Sequence, residues 1–295
     1  MKQSITGYHT DEEGHWVAQL FCGHNQHVRH DPPWMVREWV TTASGRQNML
    51  GHRLDCVKCD EDAPPDERPA LVVSIQVGLP QTIGSEHSWT SSFIKQQVTE
   101  PIWLAAMNLA GDQQADLAHH GGPDKAVCVY PAIHYWHWRS QLKFPEMQWG
   151  AFGENFTVSE LTEQDVCIGD VWSVGDALVQ ISQPRQPCWK LARRWSIKDL
   201  ALQVQQTGFT GWYFRVLKEG LVQRDAVLQL VERSHEQWTI AAANQLMHHD
   251  KHDRMGVSRL ASIPELSHSW RSTLTKRAET GQQPDESKRL GLNEK

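Results

Sequence analysis

The apolar and polar positions fall into three regimes. In the middle of the chain they follow strand patterns. Residues 71–77 (Leu, Val, Val, Ser, Ile, Gln, Val) are apolar and rich in β-branched side chains, as are residues 126–130. Ala177, Val179 and Ile181 alternate with Leu178, Gln180 and Ser182, and Gly175-Asp176 joins this strand to 171–174 as a hairpin. Helices are interspersed. Pro131 suits the first turn of a helix carrying Ile133, Trp136 and Leu142. Ser196 and Asp199 give a capping-box-like start to a helix running to about residue 206, before Gly208. Region 71–232 therefore predicts a β-rich α+β domain of the barrel kind.

From about residue 234 the pattern turns helical. Thr239 can cap a helix over 240–249 with Ala243, Leu246 and Met247 on one face. A short helix follows at 257–261, and Ser267 can cap a last one with Trp270 and Leu274 at i, i+4. These predict a three-helix bundle over 233–279, followed by a polar, disordered tail over 280–295. Residues 60–70 are acidic and proline-rich with almost nothing apolar, which predicts a linker at 61–70 after a small module at 1–60.

Composition narrows the class. Hydrophobic residues make up 39% of the chain and charged residues 22%, enough for packed cores. The net charge of -6 argues against general binding to nucleic acid or membrane surfaces. Arg29, Arg37, Arg46 and Arg53 leave room for local nucleic-acid contact, though such arginines usually form a solvated face. No run reaches the roughly 20 apolar residues of a membrane span, and the start has no apolar signal-peptide core. The expected location is cytoplasmic. Six cysteines are too sparse for a disulfide framework and read as reduced thiols or metal ligands.

Three segments carry candidate chemistry in the central domain. After the strand ending at Ser182, Pro184 and Pro187 stiffen a turn that presents Cys188. Arg185, Lys190, Arg193 and Arg194 surround it with positive charge, which favours a thiolate and suits an anionic, phosphate-bearing ligand. The same features fit a structural cysteine in a basic loop. In the second segment, Gly121 and Gly122 let backbone N–H groups approach an anion, with Lys125 in reach of a phosphate; an ordinary tight turn is the alternative. In the third, spanning 150–157, Asn155 can meet a heterocycle edge and Glu154 can pair with an arginine, or the segment is simply a β-bulge or corner. Cys128 and Cys167 sit in apolar strand patterns as inert core thiols.

These segments, in this order, resemble the MOSC family. The likeness is nearest to its bacterial stand-alone N-hydroxylaminopurine resistance proteins. It is carried by Thr90 through Lys95, Gly111 through Leu117, His120 through Ala126, Phe152-Gly153-Glu154-Asn155, Ser182 through Cys188, Thr207 through Trp212, and Leu266 through Arg271. It covers about 75–278, and departs at Gln223-Arg224-Asp225, where a glycine is expected before the aspartate. The resemblance implies a MOSC β-barrel with a three-helix C-terminal domain. It also implies a molybdopterin-type cofactor whose molybdenum is ligated by Cys188. Arg185, Lys190, Lys125, His120, Gly121, Gly122, Glu154 and Asn155 are the expected cradle. The implied activity is two-electron reduction of N-hydroxylated bases or related N-oxygenated compounds, for detoxification. His120 is the candidate for proton delivery. With no dinucleotide fingerprint and no iron–sulfur spacing, electrons are expected from an external reductase. The rival expectation is a non-catalytic cofactor carrier or sulfur-transfer protein.

The N-terminal module has its own constellation. Cys22, His24, Cys56 and Cys59 supply four soft ligands, and Cys-x-x-Cys is a half-site for tetrahedral zinc. Cys22 and His24, two apart, share a face if they lie on a strand. His27 is an alternative to His24, and unmetallated thiols are an alternative to zinc. The segment resembles a small, uncharacterised bacterial zinc-ribbon-like domain. As a further reading, this module is an interaction domain delivering the barrel to a partner.

Overall fold

The computed structural model describes residues 1–28, 37–64, 66, 68–84, 88–145 and 147–291. Arg29 and residues 292–295 of the expected tail lie outside them. The chain forms two compact units, one of 1–68 with 132–147, the other of 69–131 with 148–295.

The first unit is built on an antiparallel sheet. Its strands are β1 (Lys2–Thr10), β2 (Trp16–Leu20), β3 (Asn25–His27) and β4 (Arg53–Asp55), in the order β3-β2-β1-β4. Two short helices follow the chain, α1 (Ala43–Asn48) and α2 (Val57–Asp60). Ile5, Ala18, Leu20, Val28, Val40 and Cys56 form the core. The acidic, proline-rich run is not a free linker. Asp66 accepts from the Asn25 amide at 2.6 Å and pairs with Lys58 at 2.6 Å, so the run is pinned to this unit. The unit also takes the later helix Ile133–Leu142 expected after Pro131, which buries His134, Tyr135 and Trp138. Gly51, at φ 83°, lets that helix close in: a Cβ there would lie 1.6 Å from the Trp136 ring.

The second unit is a barrel. Its early strands are β5 (Ala70–Val77), β6 (Gln81–Ile83), β7 (Trp89–Ser91), β8 (Gln96–Val98) and β9 (Ile102–Leu104). Then come α3 (Leu117–His120), β10 (Val127–Pro131), the 133–142 helix as α4, and β11 (Phe156–Val158). The hairpin β12 (Val171–Val174) and β13 (Ala177–Pro184) is followed by α5 (Lys190–Trp195) and α6 (Leu200–Thr207). The last strands are β14 (Trp212–Lys218), β15 (Gly220–Val222) and β16 (Val227–Glu232). The ladder runs β11-β10-β14-β13-β12-β16-β5, and β5 pairs back onto β11 (Ile75 opposite Phe156), closing seven strands. β8 extends from β5, while β6–β7 and β9–β15 form two-stranded pairs.

Two helix ends differ from the sequence expectation. Pro131 closes β10 instead of opening α4, because its fixed φ also serves the end of a strand. Ser196 adopts a left-handed conformation (φ 55°) and ends α5, while Asp199 starts α6 without a side-chain cap bond.

The bundle is α7 (Ile240–His248), α8 (Arg254–Ala261) and α9 (His268–Thr280). Thr239, Asp253 and Ser267 each accept a backbone N–H at the helix start. Ala243, Leu246, Met247, Trp270 and Leu274 are buried in one cluster with the barrel interior, so bundle and barrel share a core. A final turn, α10 (Ser287–Leu290), with Leu290 buried, replaces the expected disorder over that stretch. The chain is thus α+β, a barrel with C-terminal helices and an N-terminal Cys/His cluster. Among the described residues no helix is long and apolar enough to cross a membrane.

Candidate functional site

Side chains alternate across a strand, so β10 and β14 each have an inner and an outer face. Val127, Val129, Trp212 and Phe214 fill the barrel core. Cys128 and Tyr213 lie opposite each other in the register and face outward. They form the floor of a cleft of about 620 Å³, open solvent included. Its walls come from segments far apart in the chain: Ser91 to Phe93 with Lys95, residues 112–116, His120, Lys125, then Phe152, Gly153 and Asn155, and the turn holding Arg185, Cys188 and Lys190. The pairings Ile75 with Phe156, Val129 with Phe156 and Pro184 with Trp212 bring these strand ends to one end of the barrel.

Cys188 is 9% exposed on the proline-stiffened turn. Arg185 is buried beside it. Its Nη2 donates to the Phe152 carbonyl at 2.7 Å, and its backbone N–H to the Gly211 carbonyl at 3.0 Å. Among the described residues its Nη1 is buried with no hydrogen-bond partner, as is the hydroxyl of Ser92 in the same cleft. A buried guanidinium does not lose its proton, so an unsatisfied Nη1 is a standing demand for an acceptor. Lys125 and Lys190 add positive charge to the same walls.

The structure corrects several expected roles. Asn155 lines the cleft, but its amide is already used. Oδ1 accepts from the Cys128 amide at 3.0 Å, while Nδ2 donates to Gln76 O at 3.1 Å and Asp112 Oδ2 at 2.9 Å. Both N–H bonds are spent, so it is a brace and not a heterocycle reader. Glu154 is fully buried outside the cleft lining. It accepts from the Gly150 and Phe152 amides (2.7 and 3.1 Å) and the Thr157 hydroxyl (3.0 Å), shaping the loop that carries Phe152. Gly121 and Gly122 do not line the cleft. Gly122, at φ 94°, makes the turn into the Pro123–Lys125 segment, and Gly121 lets the chain pass close to Leu117. Cys128 is a cleft-floor thiol, not a core one, although burial pushes its pKa up to about 11 and keeps it protonated at neutral pH.

His120 lines the cleft, and burial, then the charges of Lys190 and Lys125, push its pKa down to about 3. It is a neutral imidazole at pH 7 and not a ready acid. Sequence reasoning also missed a support. Asp112 is buried, pairs with Lys95, and accepts from the Gly78 amide at 2.8 Å as well as from Asn155. The two segments that hold Lys95 and Asp112 stand out in the sequence, but only barrel closure brings them together.

In the N-terminal unit, Cys22, His24, Cys56 and Cys59 converge, with all ligand atoms within 4.8 Å of one another. Cys22 and Cys56 sulfurs are 3.8 Å apart, and His24 Nδ1 is 3.4 Å from the sulfurs of Cys56 and Cys59. Tetrahedral zinc with its usual bond lengths gives edges of about 3.8 Å for S···S and about 3.5 Å for N···S. Cys22 and His24 are not on a strand. They share a turn between β2 and β3, with Gly23 at φ 82° between them. His24 Nε2 meets the Ala63 and Pro64 carbonyls, each at 3.0 Å. Two acceptors require Nε2 to carry the proton, which leaves Nδ1 bare for a metal. His27 lies 3.4 Å from Asp11 instead and is outside the cluster.

Comparison with known proteins bears on both units. Residues 116–229 match the MOSC domain, 238–281 the YiiM-like 3-alpha helix domain, and 6–63 a protein of unknown function family, DUF3565. The uncharacterized protein YflK of Bacillus subtilis is 46% identical over 207 residues, covering 70% of this chain and 93% of that protein. The chain belongs to the MOSC domain family. Protein YiiM of Escherichia coli is 41% identical over 204 residues, covering 68% of this MOSC chain and 90% of its own. A protein named reductase from Gibberella moniliformis is 33% identical over 183 residues, 61% of this chain but only 32% of that one. Among solved structures, YiiM from Geobacillus stearothermophilus matches with TM-score 0.62 and 41% identity over 71% of this chain and all of that one. YiiM from Escherichia coli matches with TM-score 0.64 and 35% identity, over 76% and 99%. The YiiM structures thus share the fold over about three quarters of this chain.

Proposed function

We infer that this MOSC protein is a cytoplasmic, molybdenum cofactor-dependent reductase of N-hydroxylated bases or related N-oxygenated compounds, acting in detoxification. The observation that carries the reading is the Nη1 of buried Arg185, without a hydrogen-bond partner among the described residues, in the cleft that holds Cys188. A phosphate-bearing cofactor supplies the acceptor that Arg185 lacks, and a thiolate is a suitable ligand for its metal. The MOSC membership and the reductase-named relative support the same reading.

In this reading Cys188 holds the metal, and Arg185, Lys190 and Lys125 hold the anionic part. When bound, the cofactor supplies the two-electron redox chemistry. Reducing an N-hydroxyl group to N–H consumes two electrons and two protons and releases water. The residues of the chain position and exclude water. Phe152 stacks on Tyr130 (ring centroids 4.4 Å apart) and walls the cleft. Burial first, and then the Lys190 and Lys125 charges, depress the His120 pKa; a bound anion offsets those two charges and so moves His120 towards the range of a proton donor. The electrons come from an external reductase. The Cys/His cluster binds structural zinc that stabilises the N-terminal unit.

The test is elemental analysis for molybdenum and zinc on protein from a host that makes the cofactor, then reduction of an N-hydroxylated purine with an artificial donor. Wild type is expected to hold about one of each metal and to turn over, with Cys188→Ser losing molybdenum and turnover but not zinc. Molybdenum without turnover would make the protein a carrier. No molybdenum at all would overturn the reading.

A further inference from the structure

The Cys188 turn is fastened from outside the barrel by the chain's last described residues. After α9 the chain reverses at Gly281 (φ 73°) and returns as residues 285–291. The Arg289 carbonyl accepts the Trp189 amide at 2.7 Å, and Arg289 Nη1 donates to the Pro187 carbonyl at 2.5 Å. One residue thus holds the peptides on both sides of Cys188. The packing is close: a Cβ on Gly291 would sit 3.0 Å from the Trp189 Cβ. Arg289 is itself fixed, with Nη2 donating to Gln205 Oε1 at 2.6 Å and Glu286 Oε1 at 2.7 Å. Glu286 is held by His248 Nδ1 at 3.0 Å and Lys251 Nζ at 3.3 Å. The turn needs such support. Pro184 and Pro187 have no N–H, and the Cys188 turn lies beyond the end of β13, where the ladder no longer reaches.

We propose that Arg289 is a positioning residue that fixes the direction in which the Cys188 sulfur enters the cleft. The hydrogen bonds of the Arg289 side chain go to Pro187, Gln205 and Glu286, while its charge also acts on the Cys188 thiol; the proposal rests on the reading of Cys188 as the metal ligand. The guanidinium–Pro187 contact belongs to the side chain, while the Trp189 contact belongs to the Arg289 backbone. Arg289→Ala therefore removes half of the clamp, and a chain ended after Pro284 removes all of it.

Two readouts test this. The first is hydrogen exchange on cofactor-free full-length protein. Peptides covering 186–191 are expected to exchange about tenfold faster in Arg289→Ala, and faster still in the shortened chain. Peptides from β13 should stay as slow as in wild type, which shows the barrel intact. The second is the rate of molybdenum release from loaded protein into a chelator, expected to rise about tenfold in the same order. Unchanged exchange at 186–191 would overturn the clamp. Faster exchange with unchanged molybdenum release would overturn the positioning role. Wild type that takes up no molybdenum would sink the metal reading and the positioning role with it, while exchange still judges the clamp.

Discussion

His24 holds Nδ1 3.4 Å from the Cys56 sulfur while its other ring nitrogen faces the Ala63 and Pro64 carbonyls. This arrangement selects one tautomer and aims one lone pair. A ligand set ordered to this degree is expected to bind about one zinc per chain. Cys59→Ser should lose most of that zinc, and the N-terminal unit should unfold with it, since structural zinc in small modules supplies on the order of 10 kcal/mol. Zinc content and thermal melts in the presence of a chelator check this. A zinc-free sample with an unaltered melt would refute it.

Arg185 is expected to be the strongest anion-binding side chain in the cleft. Arg185→Met keeps much of the shape and removes the charge. A charged hydrogen bond in a buried site contributes about 1.5–3 kcal/mol, so affinity for inorganic phosphate should fall about ten- to a hundredfold. Titration calorimetry of the two proteins measures it directly. Equal affinities would mean the orphaned Nη1 faces no anion.

Asp112 joins three elements through Lys95, the Gly78 amide and Asn155. Asp112→Ala leaves the Lys95 ammonium buried without its partner. The expected loss is about 3–5 kcal/mol, read as a lower urea midpoint at unchanged slope. Asp112→Ala with Lys95→Met should recover part of it, because the uncompensated charge is then gone. A double variant no more stable than the single would show that the charge is not the cause.

His120 should make folding weaker in acid. Its folded pKa is about 3, below the ordinary value of 6.5, so the unfolded chain binds its proton first as pH falls. Stability from this group is whole above pH 6.5 and declines steadily towards pH 3. The total is of the order of 5 kcal/mol, at about 1.4 kcal/mol for each tenfold change in proton affinity. His120→Gln should flatten that decline in cofactor-free protein, measured by urea unfolding at several pH values. Parallel curves for the two proteins would contradict the assignment.

Much of this was legible in the residues, for reasons that differ by segment. The β-branched run at 71–77 and the Gly175 hairpin became β5 and the β12–β13 pair, because period and turn chemistry are local properties. Cys188, Arg185, Lys190, Lys125 and His120 all line one cleft. Their chemistry is unusual enough to be visible without a fold. What escaped was hydrogen-bond saturation. Nothing in the string shows that Asn155 spends both of its N–H bonds on Gln76 and Asp112, or that Glu154 is absorbed by the amides of its own loop. Cys128 misled because a strand buried on both faces gives no alternation to separate core from cleft. The tail after α9 looked disordered because a clamp of one backbone bond and one arginine side chain has no hydrophobic pattern.

The helix α4 gives the molecule an order of assembly. It leaves the barrel after β10, puts Trp136 against Gly51 in the first unit, and returns as β11, the strand that closes the ring with β5. On a ribosome adding about 5–20 residues per second, the first unit waits several seconds for a helix encoded some eighty residues after Gly51. Until then Gly51 keeps an open face. Its completion therefore falls between the synthesis of two barrel strands, and neither unit can be finished by a nascent chain that stops before residue 147.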